Sequence, residues 1–350
     1  MGVSSYTGVN VKNVSRYSAT EPFGYEGGTF SDVEVEAALK AGYPLTMDFA
    51  IPGKCINNCV FCGYYCVNET GKLTFDEILK VIKEFASLGG KSVKILGEGE
   101  PLLREDILGI LSYIRELGMV PVLFTGGDVI GDERLSGPIH GISGPVVVEQ
   151  LRELGVTVVL KYENYYQDDI VGRQGFSEAR NRALKLFLQY GLNETFPSKL
   201  GLGTVLLKEN YMDIEGIYRW CLERNIYQLI CPLMPIGKMK DDKERNKLAP
   251  SKGDVAVLKG RLKAIRAEFG VSPSIESDFP GGLPCDIARA GFYVDDSGNV
   301  FVCESDSKIG NVKHETLIDL WTIADSLKTR EYGAARRKGL CFPKRRKGII

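Results

Sequence analysis

The stretch LTMDFAIPGKCINNCVFC, residues 45–62, places an apolar run directly before three cysteines, Cys55, Cys59 and Cys62. A short apolar run bounded by Pro and Gly reads as a buried strand, so the cysteines occupy the loop at its C-terminal end. Comparable runs recur at 92–96, 120–124, 157–161, 200–207 and 227–233. Helix-periodic segments separate them at 74–88, 104–117, 146–154, 176–190 and 212–224. Gly89, Gly118, Gly155 and Gly191 follow four of these segments, where a left-handed C-cap ends a helix. Strand and helix in alternation, joined by right-handed crossovers, predict an α/β chain with a parallel sheet. Six such units make an incomplete version of the eight-stranded barrel, a partial (β/α)6 TIM barrel, whose active site is expected at the C-terminal ends of the strands.

The rest of the chain divides around that barrel. Residues 1–44 form an N-terminal extension, 45–250 the barrel, 251–281 a connecting helix and linker, and 282–350 a small C-terminal domain of a hairpin and a helix. The segment 239–253, dense in Lys and Asp, reads as an exposed connection. Strands at 291–294 and 300–303 flank the turn residues 295–299, and a short helix is expected over 317–327.

Composition narrows the chemistry. Of 350 residues, 44% are hydrophobic and 25% charged, and 44 Lys+Arg against 45 Asp+Glu leave a net charge of -1. These are globular proportions, and they exclude a polycation that coats nucleic acid. The basic clusters at 336–338 and 344–347 read as a solvated terminus, so no nucleic-acid partner is expected. The longest apolar runs fall well short of the roughly 20 residues that span a bilayer, and the first ten residues lack the basic start and apolar centre of a signal peptide. A cytoplasmic protein with no membrane contact is expected. Nine cysteines in that setting argue for metal or thiol chemistry rather than disulfides. Only two histidines, His140 and His314, are present, which excludes a zinc hydrolase built on HExxH and a histidine-based triad.

Three thiolates at C-x3-C-x2-C spacing on one loop can hold three irons of a cubane and leave the fourth open. A structural zinc knot completed by Cys66 is the alternative reading. With Phe61 in the aromatic position and Gly97-Glu98-Gly99-Glu100-Pro101 after the second strand, residues 45–235 resemble the radical S-adenosylmethionine (radical SAM) superfamily. The resemblance implies that Cys55, Cys59 and Cys62 hold a [4Fe-4S] cluster whose open iron binds S-adenosyl-L-methionine. It also implies reductive cleavage of that cofactor to a 5'-deoxyadenosyl radical, fed by an electron donor such as flavodoxin or ferredoxin. Phe61 would then pack near the adenine, Gly99-Glu100-Pro101 would meet the methionine amino group, and Gly97 and Glu98 would belong to the same cofactor-binding motif, with Glu98 standing where the family more often has glycine. Lys161, Glu163 and Asn164 end the fourth strand and Asn210 follows the fifth, so they are candidates for the polar contacts of the ribose.

Downstream, Cys285 and Cys303 bracket the 295–299 turn, with Gly298 at G-x4-C spacing, and Cys341 follows. This resembles the twitch or SPASM extension of radical SAM proteins and implies one auxiliary [4Fe-4S] cluster, since three cysteines cannot serve two. Cys231 ends the sixth strand and is open to three readings: fourth ligand of that cluster, hydrogen-atom donor, or buried thiol. Cys66 is a candidate donor or a loop thiol, and Cys221 reads as core. A single auxiliary cluster resembles the aminocyclitol dehydrogenase and molybdopterin-precursor branches. A small polar metabolite (sugar, aminocyclitol or nucleoside) undergoing dehydrogenation, epimerisation or rearrangement is therefore expected. The alternatives are a peptide-maturing enzyme and a non-enzymatic iron-sulfur or zinc scaffold.

Overall fold

The computed structural model describes residues 23–63, 71–271, 279–304 and 306–340. Six strands form at the apolar runs: β1 (Thr46–Pro52), β2 (Ser92–Glu98), β3 (Val120–Thr125), β4 (Thr157–Lys161), β5 (Leu200–Val205) and β6 (Tyr227–Cys231). Each pairs in parallel with the next. Helices Phe75–Ser87, Ile107–Glu116, Gly144–Glu153, Phe176–Gln189 and Ile214–Leu222 lie between successive strands, with shorter helices in several of the connections. The first of these shows why the sequence folds locally. Thr74 and Glu77 close a capping box, and Ile78, Val81, Ile82 and Phe85 recur at helical spacing to give one buried face.

Strand alternation decides what faces the inside of the curved sheet. Met47, Phe49 and Ile51 of β1 and Val93 and Ile95 of β2 join the main apolar core under the outer helices. Asp48 and Lys94 therefore fall on the concave side, paired in register, with Lys94 Nζ 3.6 Å from Asp48 Oδ1. The described part of the N-terminal extension closes the lower end. Tyr25 stacks on Tyr227 at 5.5 Å between ring centroids, and Ser92 Oγ donates to Gly27 O at 2.7 Å.

The expected C-terminal hairpin forms from β7 (Gly291–Val294) and β8 (Asn299–Phe301), with β9 (Lys308–Asn311) beside it. It is continuous with the barrel. β7 pairs in parallel with β1, from Thr46↔Gly291 to Phe49↔Val294, giving one nine-stranded sheet in the order β6-β5-β4-β3-β2-β1-β7-β8-β9. This pairing covers the edge that β1 would otherwise expose. Helix Leu317–Tyr332 runs beyond the expected 317–327 and packs Leu317, Leu320, Trp321 and Ala324 into the same core as Phe292.

The structure adds detail to the connection, which is exposed over most of 240–247 as expected. The segment 239–253 contains helix Asp242–Leu248, started by Asp241, whose side chain accepts from Lys243 N and Glu244 N. The helix in the connecting segment, Lys252–Glu268, packs Leu258, Leu262 and Ile265 against Ile214, Tyr218 and Leu222, so it belongs to the outer layer of the barrel. No helix among the described residues is long and apolar enough to cross a membrane.

Candidate active site

The loop after β1 carries Cys55, Cys59 and Cys62 over the C-terminal mouth of the sheet, and three neighbours clamp it. From the end of β2, Glu100 N donates to Lys54 O at 2.8 Å. That approach requires glycine: a Cβ on Gly99 would stand 2.5 Å from Lys54 O, and one on Gly97 2.3 Å from Gly99 O. From behind β4, Val171 O and Ile170 O accept from Asn58 N and Val60 N, both at 2.9 Å. From the exit of β6, Lys238 N donates to Cys62 O at 3.0 Å, and Lys238 Nζ to Asn58 Oδ1 at 2.5 Å and Cys59 O at 2.8 Å. Within the loop, Asn57 N donates to Cys55 Sγ at 3.4 Å and Cys62 N to Cys59 O at 3.2 Å. Cys55 is exposed, Cys59 and Cys62 are half-buried, and all three lie outside any disulfide.

A buried polar layer supports the clamp. Asp128, fully buried just past β3, pairs with Arg173 at 2.6 Å. Arg173 Nε donates to Asn57 Oδ1 at 2.7 Å, and Asn57 Nδ2 to Asp128 Oδ2 at 3.2 Å. Glu100 uses both carboxylate oxygens on protein donors: Thr125 Oγ1 at 2.5 Å, Gly126 N at 2.7 Å and Leu102 N at 3.1 Å. Burial, then Asp128, pushes its carboxyl up to about 7 against these three bonds. The side chain of Glu100 thus ties the ends of β2 and β3 together. Asp128, Arg173 and Lys238 carry no signature in the sequence, because their partners are distant along the chain.

The other sequence candidates are distributed around the mouth. Glu98 Oε2 lies 3.1 Å from Lys72 Nζ, which also bonds Asp296 in the hairpin turn. Burial and Asp296 push the Glu98 carboxyl up to about 7 against Lys72. Lys161 Nζ stands 4.2 Å from the centroid of the Phe61 ring and 3.4 Å from Glu163. Burial pushes the Cys59 thiol up, and Lys161 beside it opposes that shift. Asn164 Oδ1 is buried with no hydrogen-bond partner among the described residues. Asn210 is buried in the turn after β5, where Oδ1 accepts from Leu207 N and Nδ2 donates to Val205 O. Its side-chain amide braces that turn. Cys221 is fully buried, as expected. Cys231 ends β6 on the face shared by Tyr227 and Leu229 and is one of the groups whose charge Tyr25 feels. Cys66 and Cys341 lie outside the described residues.

The second cysteine pair lies toward the other end of β1. Cys285 begins helix Asp286–Ala290, whose last carbonyl, that of Ala290, accepts from Leu45 N at 2.7 Å. Cys285 N donates to Gly339 O at 3.0 Å, which brings the chain just before Cys341 alongside Cys285. Cys303 is buried past β8, and its carbonyl accepts from Asp306 N at 2.8 Å. Lys94 and Asp48 occupy the lumen between the two cysteine sites. Burial works against the Lys94 charge, but Tyr25, Asp48 and Asp286 outweigh it and hold the ammonium well above the usual lysine range.

Among the described residues no three or more His, Cys, Asp or Glu side chains are gathered closely enough to hold a metal ion. The donors on the loop after β1 are nonetheless thiols throughout, on backbone fixed by main-chain bonds, a donor set that fits an iron-sulfur cluster.

Residues 50–221 match the model of the Radical SAM superfamily. The chain therefore carries a radical SAM domain, set in an open, mostly parallel sheet. Among curated proteins it is similar to the GTP 3',8-cyclase of Clostridium perfringens (strain 13 / Type A), 28% identical over 253 residues, covering 66% of this chain and 72% of that protein. It is likewise similar to the GTP 3',8-cyclase of Petrotoga mobilis, 27% identical over 198 residues, covering 54% of this chain and 55% of that one. Among solved structures, Streptococcus suis SuiB bound to S-adenosylmethionine superposes with a TM-score of 0.60 at 18% identity, over 90% of this chain and 78% of SuiB. The fold is thus shared over nearly the whole chain. The domain and these similarities together support enzymatic activity of the radical SAM class.

Proposed function

We propose that this chain is a radical SAM enzyme that transforms a small polar metabolite, a nucleoside or nucleotide foremost. The observation that carries the reading is the three-cysteine loop, clamped over the mouth of the barrel by Gly97–Pro101 on one side and Gly237–Lys238 on the other. Cys55, Cys59 and Cys62 would hold a [4Fe-4S] cluster, which when bound supplies the electron that cleaves S-adenosyl-L-methionine to methionine and a 5'-deoxyadenosyl radical. The chain's own residues would bind and orient. Phe61 offers a ring beside the cofactor, Asn164 Oδ1 a buried acceptor suited to a hydroxyl, and Lys161 a half-buried ammonium at the loop. Below them, Lys94 and Asp48 form a charged floor suited to a polar substrate rather than an apolar one. The sequence relatives, cyclases of GTP by their names, favour a nucleotide. Cys285, Cys303 and Cys341 would hold one auxiliary [4Fe-4S] cluster, and a flavodoxin or ferredoxin would supply the electrons. Cys231, facing the lumen, would be its fourth ligand or a hydrogen-atom donor.

Anaerobic reconstitution tests the reading. The wild-type chain is expected to hold about eight irons and eight sulfides, and the Cys55/Cys59/Cys62→Ala variant about four. Dithionite should release 5'-deoxyadenosine from the wild-type chain and S-adenosyl-L-methionine, but not from the triple variant. Stoichiometric zinc without acid-labile sulfide, or a loaded and reduced protein that releases no 5'-deoxyadenosine, would overturn it.

A further inference from the structure

Lys328 stands on helix Leu317–Tyr332 and is fully buried. Its ammonium donates to the carbonyls of Ile287 and Gly291, in and just after the short helix that Cys285 begins. Carbonyl dipoles satisfy its hydrogen bonds but do not cancel a unit charge, and an uncompensated buried ammonium costs several kcal/mol. The neighbouring acids are engaged by arginines: Asp325 with Arg336, and Asp286 with Arg289 at 3.7 Å. Among the described residues no carboxylate lies within ion-pair distance of Lys328. Burial, then Arg336, pushes the Lys328 ammonium down to about 7, and the groups that oppose this are Cys303 and Cys285, ahead of Asp325. Tyr332, one turn further along the same helix, donates to Asp306, whose amide bonds Cys303 O, so this helix face reaches both cysteine segments.

A buried cation with no carboxylate in ion-pair distance among the described residues, set between the two cysteine-bearing segments, matches an anion that their thiols would help to make. We propose that Lys328 is the counter-charge of an anionic, thiolate-ligated cluster at Cys285 and Cys303, and that its ammonium tunes the reduction potential of that cluster. This rests on the auxiliary-cluster reading given above. Lys328 is a positioning residue in electrostatic terms: it ligates nothing, and a fixed positive charge favours the more negative, reduced state. A lysine can also brace the end of a helix by hydrogen bonding alone. That role needs donors, whereas the proposed one needs charge.

Three substitutions separate them: Lys328→Arg keeps charge and donors, Lys328→Gln keeps donors only, and Lys328→Met keeps neither. Each is placed in the Cys55/Cys59/Cys62→Ala chain, so that the auxiliary cluster alone is observed. The readouts are iron and sulfide content, far-UV circular dichroism, and a dithionite titration followed by electron paramagnetic resonance. The Arg variant should titrate with the parent. The Gln and Met variants should be harder to reduce by about tenfold in the equilibrium constant, about 59 mV for one electron. If Gln and Met fold but lose the cluster while Arg retains it, charge is again the requirement. A Gln or Met variant that holds the cluster at an unshifted potential, or cluster loss in all three variants, would overturn the proposal. A parent chain that binds zinc or no metal would instead remove the auxiliary-cluster reading, and this inference with it.

Discussion

Glu98 illustrates how one side chain departs from a motif with a measurable consequence. It occupies the second position of Gly97-Glu98-Gly99-Glu100-Pro101, and its carboxyl faces Lys72 and the hairpin residue Asp296. Burial and Asp296 raise it to about 7, above the roughly 4.3 of an unstructured glutamate. The folded chain therefore binds this proton more tightly than the unfolded chain, and the stability it contributes at low pH is lost as pH rises toward 7. Glu98→Gln should flatten the fall in unfolding free energy between pH 5 and pH 8 by about 1–3 kcal/mol, read from urea denaturation at each pH. Identical pH slopes for the two proteins would contradict the raised carboxyl.

The cysteine loop is an element without secondary structure of its own, and its shape comes from what grips it. Gly99→Ala would put a Cβ 2.5 Å from Lys54 O, against backbone that has no free end to swing away. That variant should lose about four irons while keeping the auxiliary cluster, as measured by iron and labile sulfide. Full retention of eight irons would show that the clamp is dispensable. The buried pair behind the loop is asymmetric. Arg173 is 22% exposed and can turn to water, whereas Asp128 is 0% exposed and cannot. Arg173→Met, which strands the buried carboxylate, should cost about 3–5 kcal/mol, and Asp128→Asn distinctly less. Denaturation in urea checks the order, and the reverse order would mean that the arginine is the trapped charge.

At the scale of the whole molecule the barrel and the hairpin share one sheet and one core. Phe292 of β7 meets Phe85 at 5.7 Å and Trp321 at 5.8 Å, so a barrel helix and the C-terminal helix pack on one ring. Phe292→Ala should cost about 3–5 kcal/mol and shift a single unfolding transition as a unit. Calorimetry showing an early, separate transition in the variant would indicate that the hairpin folds independently. The same continuity links the two cysteine sites, since Asp296 reaches Lys72 and Glu98 at the mouth while Cys285 and Cys303 sit on the segments that flank β7 and β8.

The strands, the helices and the cysteine loop were legible in the amino-acid sequence because each is written within a few consecutive residues. The apolar run 45–51, the helical period over 74–88 and the spacing of Cys55, Cys59 and Cys62 need no distant partner to be read. The pairing of β7 with β1, the Lys238 and Arg173 contacts to the loop, and the burial of Lys328 between two cysteine segments were decided only by the tertiary structure. Each of these joins residues far apart in the chain, and a lone Lys or Arg reads locally as a solvated charge. Curling the sheet and pairing β7 along its edge bring these cations to rest against the cysteine-bearing segments, and Lys328 comes to lie there out of reach of water.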